Sequence, residues 1–120
     1  MARGTIRLIR GDDHSETRAF DQDDGSDYDL TDAAVWFTLK ANPGDADDDA
    51  ILQHVSGDGS LTITDPLTGA VSHVISAAET AVLVLGVYRY DYQLVAADGT
   101  VATLERGRAE VTGDVTLSIA

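Results

Sequence analysis

Along the chain, apolar and polar positions alternate in short runs separated by Gly, Asp and Asn, and no stretch sustains the three-to-four spacing of a helix. Alternation with a period of two sends successive side chains to opposite faces of a strand, so the pattern predicts an all-β chain. The clearest run is Ala33 to Lys40, where Val35, Phe37 and Leu39 share one face and Trp36, Thr38 and Lys40 the other. Thr5 to Arg10 and Thr17 to Asp21 precede it. Ala50 to Val55, Leu61 to Thr64, Ala70 to Ile75, Tyr88 to Leu94, Val101 to Leu104, Arg108 to Thr112 and Val115 to Ile119 follow. In Tyr88 to Leu94, three tyrosines and a leucine fall on one face.

The breaks between runs carry turn chemistry. Asn42-Pro43-Gly44 stops the Ala33 to Lys40 run, and Asp45 to Asp49 reads as a solvated loop. Asp65-Pro66-Leu67-Thr68-Gly69 has Pro at the second turn position and Gly where a left-handed residue is needed; Ala97-Asp98-Gly99-Thr100 is a hairpin turn. Ser76-Ala77-Ala78-Glu79 fits a capping box and predicts a helix reaching about Leu83. The pattern as a whole predicts one antiparallel β-sandwich domain over residues 1–120, with seven to nine strands and at most one short helix.

Charge narrows the partners. The formal net charge is −13, from 21 acidic against 8 basic residues, and Lys40 is the only lysine. Such a chain repels phosphates at long range, and its arginines are scattered in sequence, so nucleic acid is not an expected partner. No apolar run approaches the roughly 20 residues of a membrane-spanning helix, and Met1-Ala2-Arg3-Gly4-Thr5 lacks the apolar stretch of a secretion signal. A soluble protein without membrane contact is the expectation. The absence of cysteine excludes disulfides and thiolate chemistry. Asp spread among β-branched runs suits adaptation to concentrated salt, where a Debye length of about 3 Å silences self-repulsion; a halophilic host is therefore expected.

Groups that could do chemistry are scarce. His14, His54 and His73 are far apart without metal-ligand spacing, and read as surface or strand-face residues. No serine sits in a Gly-x-Ser-x-Gly elbow, and Gly57-Asp58-Gly59 lacks the lysine and helix of a phosphate loop. Neither enzymatic activity nor a cofactor is expected. Asp21, Asp23, Asp24, Asp27 and Asp29 could converge on a hard cation, which needs several oxygens at one point. The match to a calcium loop is imperfect: Gly25 arrives one position early and Asp32 stands where a bidentate Glu belongs. Asp45, Asp47, Asp48 and Asp49 form a second cluster. A diffuse cation-holding surface is favoured over a specific site. Arg10-Gly11-Asp12 reads as a strand-ending turn.

Gly86-Val87-Tyr88 follows an apolar run, and Tyr90 stands where immunoglobulin domains carry their second cysteine; the group resembles a tyrosine corner, and Trp36 resembles the core tryptophan of that fold. The order of motifs also resembles small virion proteins of tailed phages, similar to the N-terminal domain of the baseplate upper protein. The carrying motifs are Arg10-Gly11-Asp12, Phe20, Asp23-Asp24-Gly25, Asp29-Leu30-Thr31-Asp32-Ala33-Ala34-Val35-Trp36-Phe37, Asp65 to Val71, Glu79-Thr80, Gly86 to Asp91 and Asp98 to Leu104. This resemblance implies an Ig-like, disulfide-free module of a tail or baseplate, made in the host cytoplasm. Its implied partners are other virion structural proteins and copies of itself. The short, alternating and charge-free Val115 to Ile119 reads equally as a docking strand and as a plain strand of its own sheet. Head decoration and a cation-dependent cell-surface or carbohydrate-binding module, the latter using Tyr28, are the alternatives.

Overall fold

In the computed structural model, residues 2–22, 24–41 and 50–113 are described. Among them, numbered in chain order, are the strands β1 (Ala2–Ile9), β2 (His14–Ala19), β3 (Ala34–Lys40), β4 (Leu52–Val55), β5 (Leu61–Asp65), β6 (Ala70–Ile75), β7 (Gly86–Val95) and β8 (Val101–Thr112). They form a five-stranded sheet in the order β1-β8-β7-β3-β4 and a three-stranded sheet in the order β2-β6-β5. This is the order of an immunoglobulin sandwich, with β2, β6 and β5 in the places of strands B, E and D, and β8, β7 and β3 in those of G, F and C.

The core lies between the sheets. Val35, Phe37 and Leu39 of β3 are fully buried, as the alternation predicts, with Ile6, Leu8, Leu61, Val71, Ile75, Tyr92 and Leu104 around them. Phe37 sits against Tyr92 and His73, with ring centroids 5.1 and 4.4 Å away. Close-packed aromatic contacts of this kind hold the sheets together through buried area and offset ring geometry.

The turns behave as their residues dictate. Ser76 caps the short helix α1 (Ala77–Ala81) in a complete capping box with Glu79. After the 3-10 turn at Pro66–Thr68, Gly69 adopts φ 69°, and a Cβ there would stand 2.7 Å from the Phe20 carbonyl oxygen, so glycine is required twice over.

Three features differ from the sequence expectation. β1 pairs parallel to β8, from Ala2 opposite Glu105 to Ile9 opposite Thr112, so the sandwich is not antiparallel throughout. The runs Val101 to Leu104 and Arg108 to Thr112 are one continuous strand: a bulge opposite Tyr92 and Gln93 lets the consecutive Leu104 and Glu105 both point inward. β2 spans His14 to Ala19 rather than Thr17 to Asp21, because its inward face is His14, Glu16 and Arg18 and shows no apolar period. Within the β1–β8 pair, Gly4 faces Gly107, and a Cβ on Gly107 would run into the Gly4 backbone. The expected break at Asn42-Pro43-Gly44, the cluster Asp45 to Asp49 and the strand Val115 to Ile119 lie outside the described residues.

Candidate functional site

β4 and β6 each direct one histidine inward, and the closing of the sandwich brings the two together. His54 Nδ1 lies 2.7 Å from His73 Nε2, His54 Nε2 lies 2.7 Å from Glu79 Oε2, and His73 Nδ1 lies 2.9 Å from the Tyr92 hydroxyl. The expectation of separate surface or strand-face histidines is corrected for this pair: His73 is 1% exposed, and both are buried and bonded to each other. The Glu79 carboxylate accepts from His54 Nε2–H. Beyond it, either His73 Nε2–H donates to His54 Nδ1 and the Tyr92 hydroxyl to His73 Nδ1, or both directions are reversed. Burial, reinforced by His54 alongside, pushes the His73 pKa down to about 4. Burial works against the Glu79 charge, but hydrogen bonds from Ser76 and His54 outweigh it and hold the carboxyl below its usual range.

A second polar group crosses the sandwich beside the first. Arg18 Nε on β2 donates to Glu105 Oε1 on β8 at 3.1 Å, and the Tyr90 hydroxyl on β7 donates to Glu105 Oε2 at 2.6 Å. Arg18 also bonds Glu16, which His14 meets at 2.6 Å. Burial alone would weaken the Arg18 charge, but Glu16 and Glu105 raise its pKa; burial and the Glu105 carboxylate raise that of Tyr90. This bridge joins the B-place strand to the F-place strand, the two that a disulfide joins in antibody domains. Gly4 leaves room for it, since a Cβ there would meet the Tyr90 hydroxyl. Among the described residues, every buried side-chain nitrogen and oxygen has a hydrogen-bond partner.

The residues singled out from the sequence fall into separate places. Gly86 opens β7, and the buried Tyr88 donates its hydroxyl to the Val84 carbonyl at 2.7 Å, four residues upstream, as a tyrosine corner requires. Tyr90 points inward. Trp36 is corrected: it is half-buried on the outer face of the five-stranded sheet, and the neighbouring Phe37 takes the core place.

In the loop from β2 to β3, Asp24 Oδ1 accepts from Ser26 N and Oγ at 2.9 and 2.6 Å, and Asp29 Oδ1 accepts from Thr31 N and Oγ1 at the same distances. Those bonds lower both pKa values, whereas a shared hydrogen bond with Asp21 raises that of Asp27. Asp23 lies outside the described residues, and no three metal-ligating side chains converge among those described. Tyr28 packs against the core. Arg10-Gly11-Asp12 is a turn stitched to α1: Arg10 Nε donates to the Ala81 carbonyl, Gly11 N to Thr80 Oγ1, and Thr80 Oγ1 to the Asp12 carbonyl.

Across the outer face of the five-stranded sheet, strand register assembles what the sequence scatters. Lys40, Arg89 and Arg108 stand in one row, and Thr38, Asp91 and Arg106 in the next. Arg7 joins from β1, 3.5 Å from Glu110, which Arg108 also meets at 2.6 Å. A shallow groove of about 490 Å³ runs between Thr38, Lys40, Arg89, Asp91 and Arg106, with Tyr90 and Gly107 in its lining. Toward the β7 start the face continues into Val87 and Ile9, both exposed. Apolar residues rimmed by arginine are the composition of a protein contact surface.

No family model matches the chain, and no curated protein does. Among solved structures, the N-terminal domain of phage TP901-1 ORF48 matches with a TM-score of 0.60 at 13% identity, over 90% of this chain and 84% of that one. CopC from Methylosinus trichosporium OB3b aligns over 98% of this chain and 91% of its own at 11% identity, with a TM-score of 0.46. The first match shares the sandwich fold.

Proposed function

We propose that the chain is a structural building block of a tailed virus particle: one Ig-like domain, seated in the tail or baseplate, that works through protein–protein contacts and catalyses no reaction. The observation that carries this reading is the sandwich held in common with a phage domain over nine-tenths of the chain. The motif order, which resembles the N-terminal domain of the baseplate upper protein, supports it independently of the coordinates.

The chemistry of the fold is in keeping with that role. The buried His54, His73, Tyr92, Glu105 and Tyr90 are joined, with the partly exposed Glu79 and Arg18, in two networks across the sheets, so they hold the sandwich shut. What the outer sheet face offers is a cationic groove with apolar neighbours, a surface for docking. Its partners are other virion proteins and copies of the same chain. Decoration of the head is the second reading within the virion. The carbohydrate-binding alternative loses support because Tyr28, its candidate platform, packs against the core. Mass spectrometry of particles purified through a density gradient tests the proposal: the chain is expected at a fixed ratio to the tail proteins, and its absence from intact particles refutes the reading.

A further inference from the structure

We infer that the cationic outer face of the five-stranded sheet docks the Asp-rich end of a second copy of this chain. This deepens the assembly reading above by naming one partner and the surface that receives it.

The argument starts from segregation of charge. Arg7, Lys40, Arg89, Arg106 and Arg108 all stand on one sheet face, in a chain whose formal net charge is −13. Of the other described basic side chains, Arg10 fastens the turn after β1 and Arg18 faces the interior. Among the described residues, the carboxylates on that face are Asp91 and Glu110, and Glu110 is shared between Arg7 and Arg108. The excess of positive charge among the described residues of this face draws in carboxylate-rich surface, which a second copy of so acidic a chain offers.

The complementary surface lies at the end of the sandwich where β2 passes to β3. Asp21, Asp24, Asp27 and Asp29 line this loop, and Asp98 joins them from the β7–β8 turn, because Ala34 at the start of β3 pairs with Val95 at the end of β7. The Leu30 N–H donates to the Pro66 carbonyl at 2.7 Å, which brings Asp65 to the same end. Asp21 and Asp27 face each other across a backbone bridge, and the nearness of Asp21 raises the Asp27 pKa, a crowding of carboxylates that a cationic surface relieves.

One surface is a sheet face and the other an end of the sandwich, so the contact joins two different surfaces of neighbouring copies. The contact is head-to-tail, and repeating it builds a ring or a file of copies. Duplex nucleic acid suits the groove less well, since its phosphates would also meet the Asp-rich remainder of the chain.

Sedimentation velocity of the intact chain at about 0.05 and 0.5 M sodium chloride tests the inference. Association is expected at low salt and should weaken by about tenfold or more at high salt, as a charge-steered contact does. Two charge-reversed variants, Arg89→Glu with Arg106→Glu, and Asp21→Lys with Asp27→Lys, should each be monomeric alone. Mixed, they should associate, because each then offers what the other lacks. Thermal melts equal to wild type confirm that both fold, and if the lysine pair does not, Asp21→Asn with Asp27→Asn serves and should weaken wild-type association. A monomer at every concentration and salt, association unmoved by the reversals, or a mixture that stays monomeric would overturn the inference. So would a preference of the wild type for short duplex DNA over itself. Presence in the particle is measured separately, so failure here leaves the virion reading standing with another docking partner.

Discussion

Lowering the pH from 7 to 5 should destabilise this fold through His73, before its carboxylates titrate. In the unfolded chain His73 takes up a proton near its ordinary pKa of 6.5, whereas in the fold its pKa is about 4, because the ring is buried beside His54. A doubly protonated His73 ring would donate from Nδ1 and could not accept from the Tyr92 hydroxyl. The sign follows from linkage. Between those two values the unfolded state binds the proton and the folded state does not, so stability is full above pH 6.5 and is lost as the pH falls toward 4. At about 1.4 kcal/mol per pH unit, the loss is about 2 kcal/mol by pH 5 and about 3 kcal/mol near pH 4. A domain with a total of about 5–15 kcal/mol will register that as a clear shift in its urea midpoint. Urea titrations at pH 7, 6 and 5 in constant chloride read it, with His73→Gln as the control that cannot titrate. Most of the slope should disappear in the variant, whatever its absolute stability. A wild-type midpoint that does not change between pH 7 and 5, or an equal slope in the variant, would refute the reasoning.

Gly107→Ala places a Cβ 2.7 Å from the Gly4 carbonyl carbon and 2.9 Å from its nitrogen, so β1 must leave its pairing or β8 must bend; a loss of about 2 kcal/mol or more is expected in denaturant melts. Arg18→Met leaves Glu105 buried without its cation and should cost about 3–5 kcal/mol, whereas Arg18→Met with Glu105→Gln should recover part of that loss. If the acidity is an adaptation to salt, the melting midpoint should fall as potassium chloride drops from about 1 M to about 0.1 M and the Debye length grows from about 3 to about 10 Å. A midpoint that is flat across that series would remove the argument for a halophilic host.

Much of the fold was legible because its strands obey the simplest rule. Val35, Phe37 and Leu39 alternate with outward residues, and Tyr88, Tyr90, Tyr92 and Leu94 do the same on β7, so period two alone located the centre of the larger sheet. The cap at Ser76 and the turn at Gly69 were legible because each rests on local geometry that neighbours in sequence decide. β2 was misplaced for the opposite reason: its inward residues are charged, and their partner Glu105 is 87 residues from Arg18. Apolar period is blind to an inward face made of ions. Trp36 shows how an analogy can override the pattern, because alternation had already placed it opposite Phe37.

The candidate sites were less legible. His54 and His73 are 19 residues apart on strands of different sheets, and only the closing of the sandwich brings their rings within 2.7 Å. The outward positions 7, 40, 89, 106 and 108 read as scattered until strand order sets β1, β8, β7 and β3 side by side. The Asp-rich loop was read as a diffuse cation-holding surface rather than a specific site. Asp followed two residues later by Ser or Thr is a turn motif, and Asp24 and Asp29 use their oxygens to close such turns.

The most direct test of the central claim is a cryo-electron microscopy map of the intact particle, at a resolution that separates strands. The account predicts density for this two-sheet sandwich in the tail or baseplate, in repeated copies, with the outer face of the five-stranded sheet against a neighbouring protein. A tail and baseplate fully accounted for by other chains, with no such sandwich among them, would contradict it.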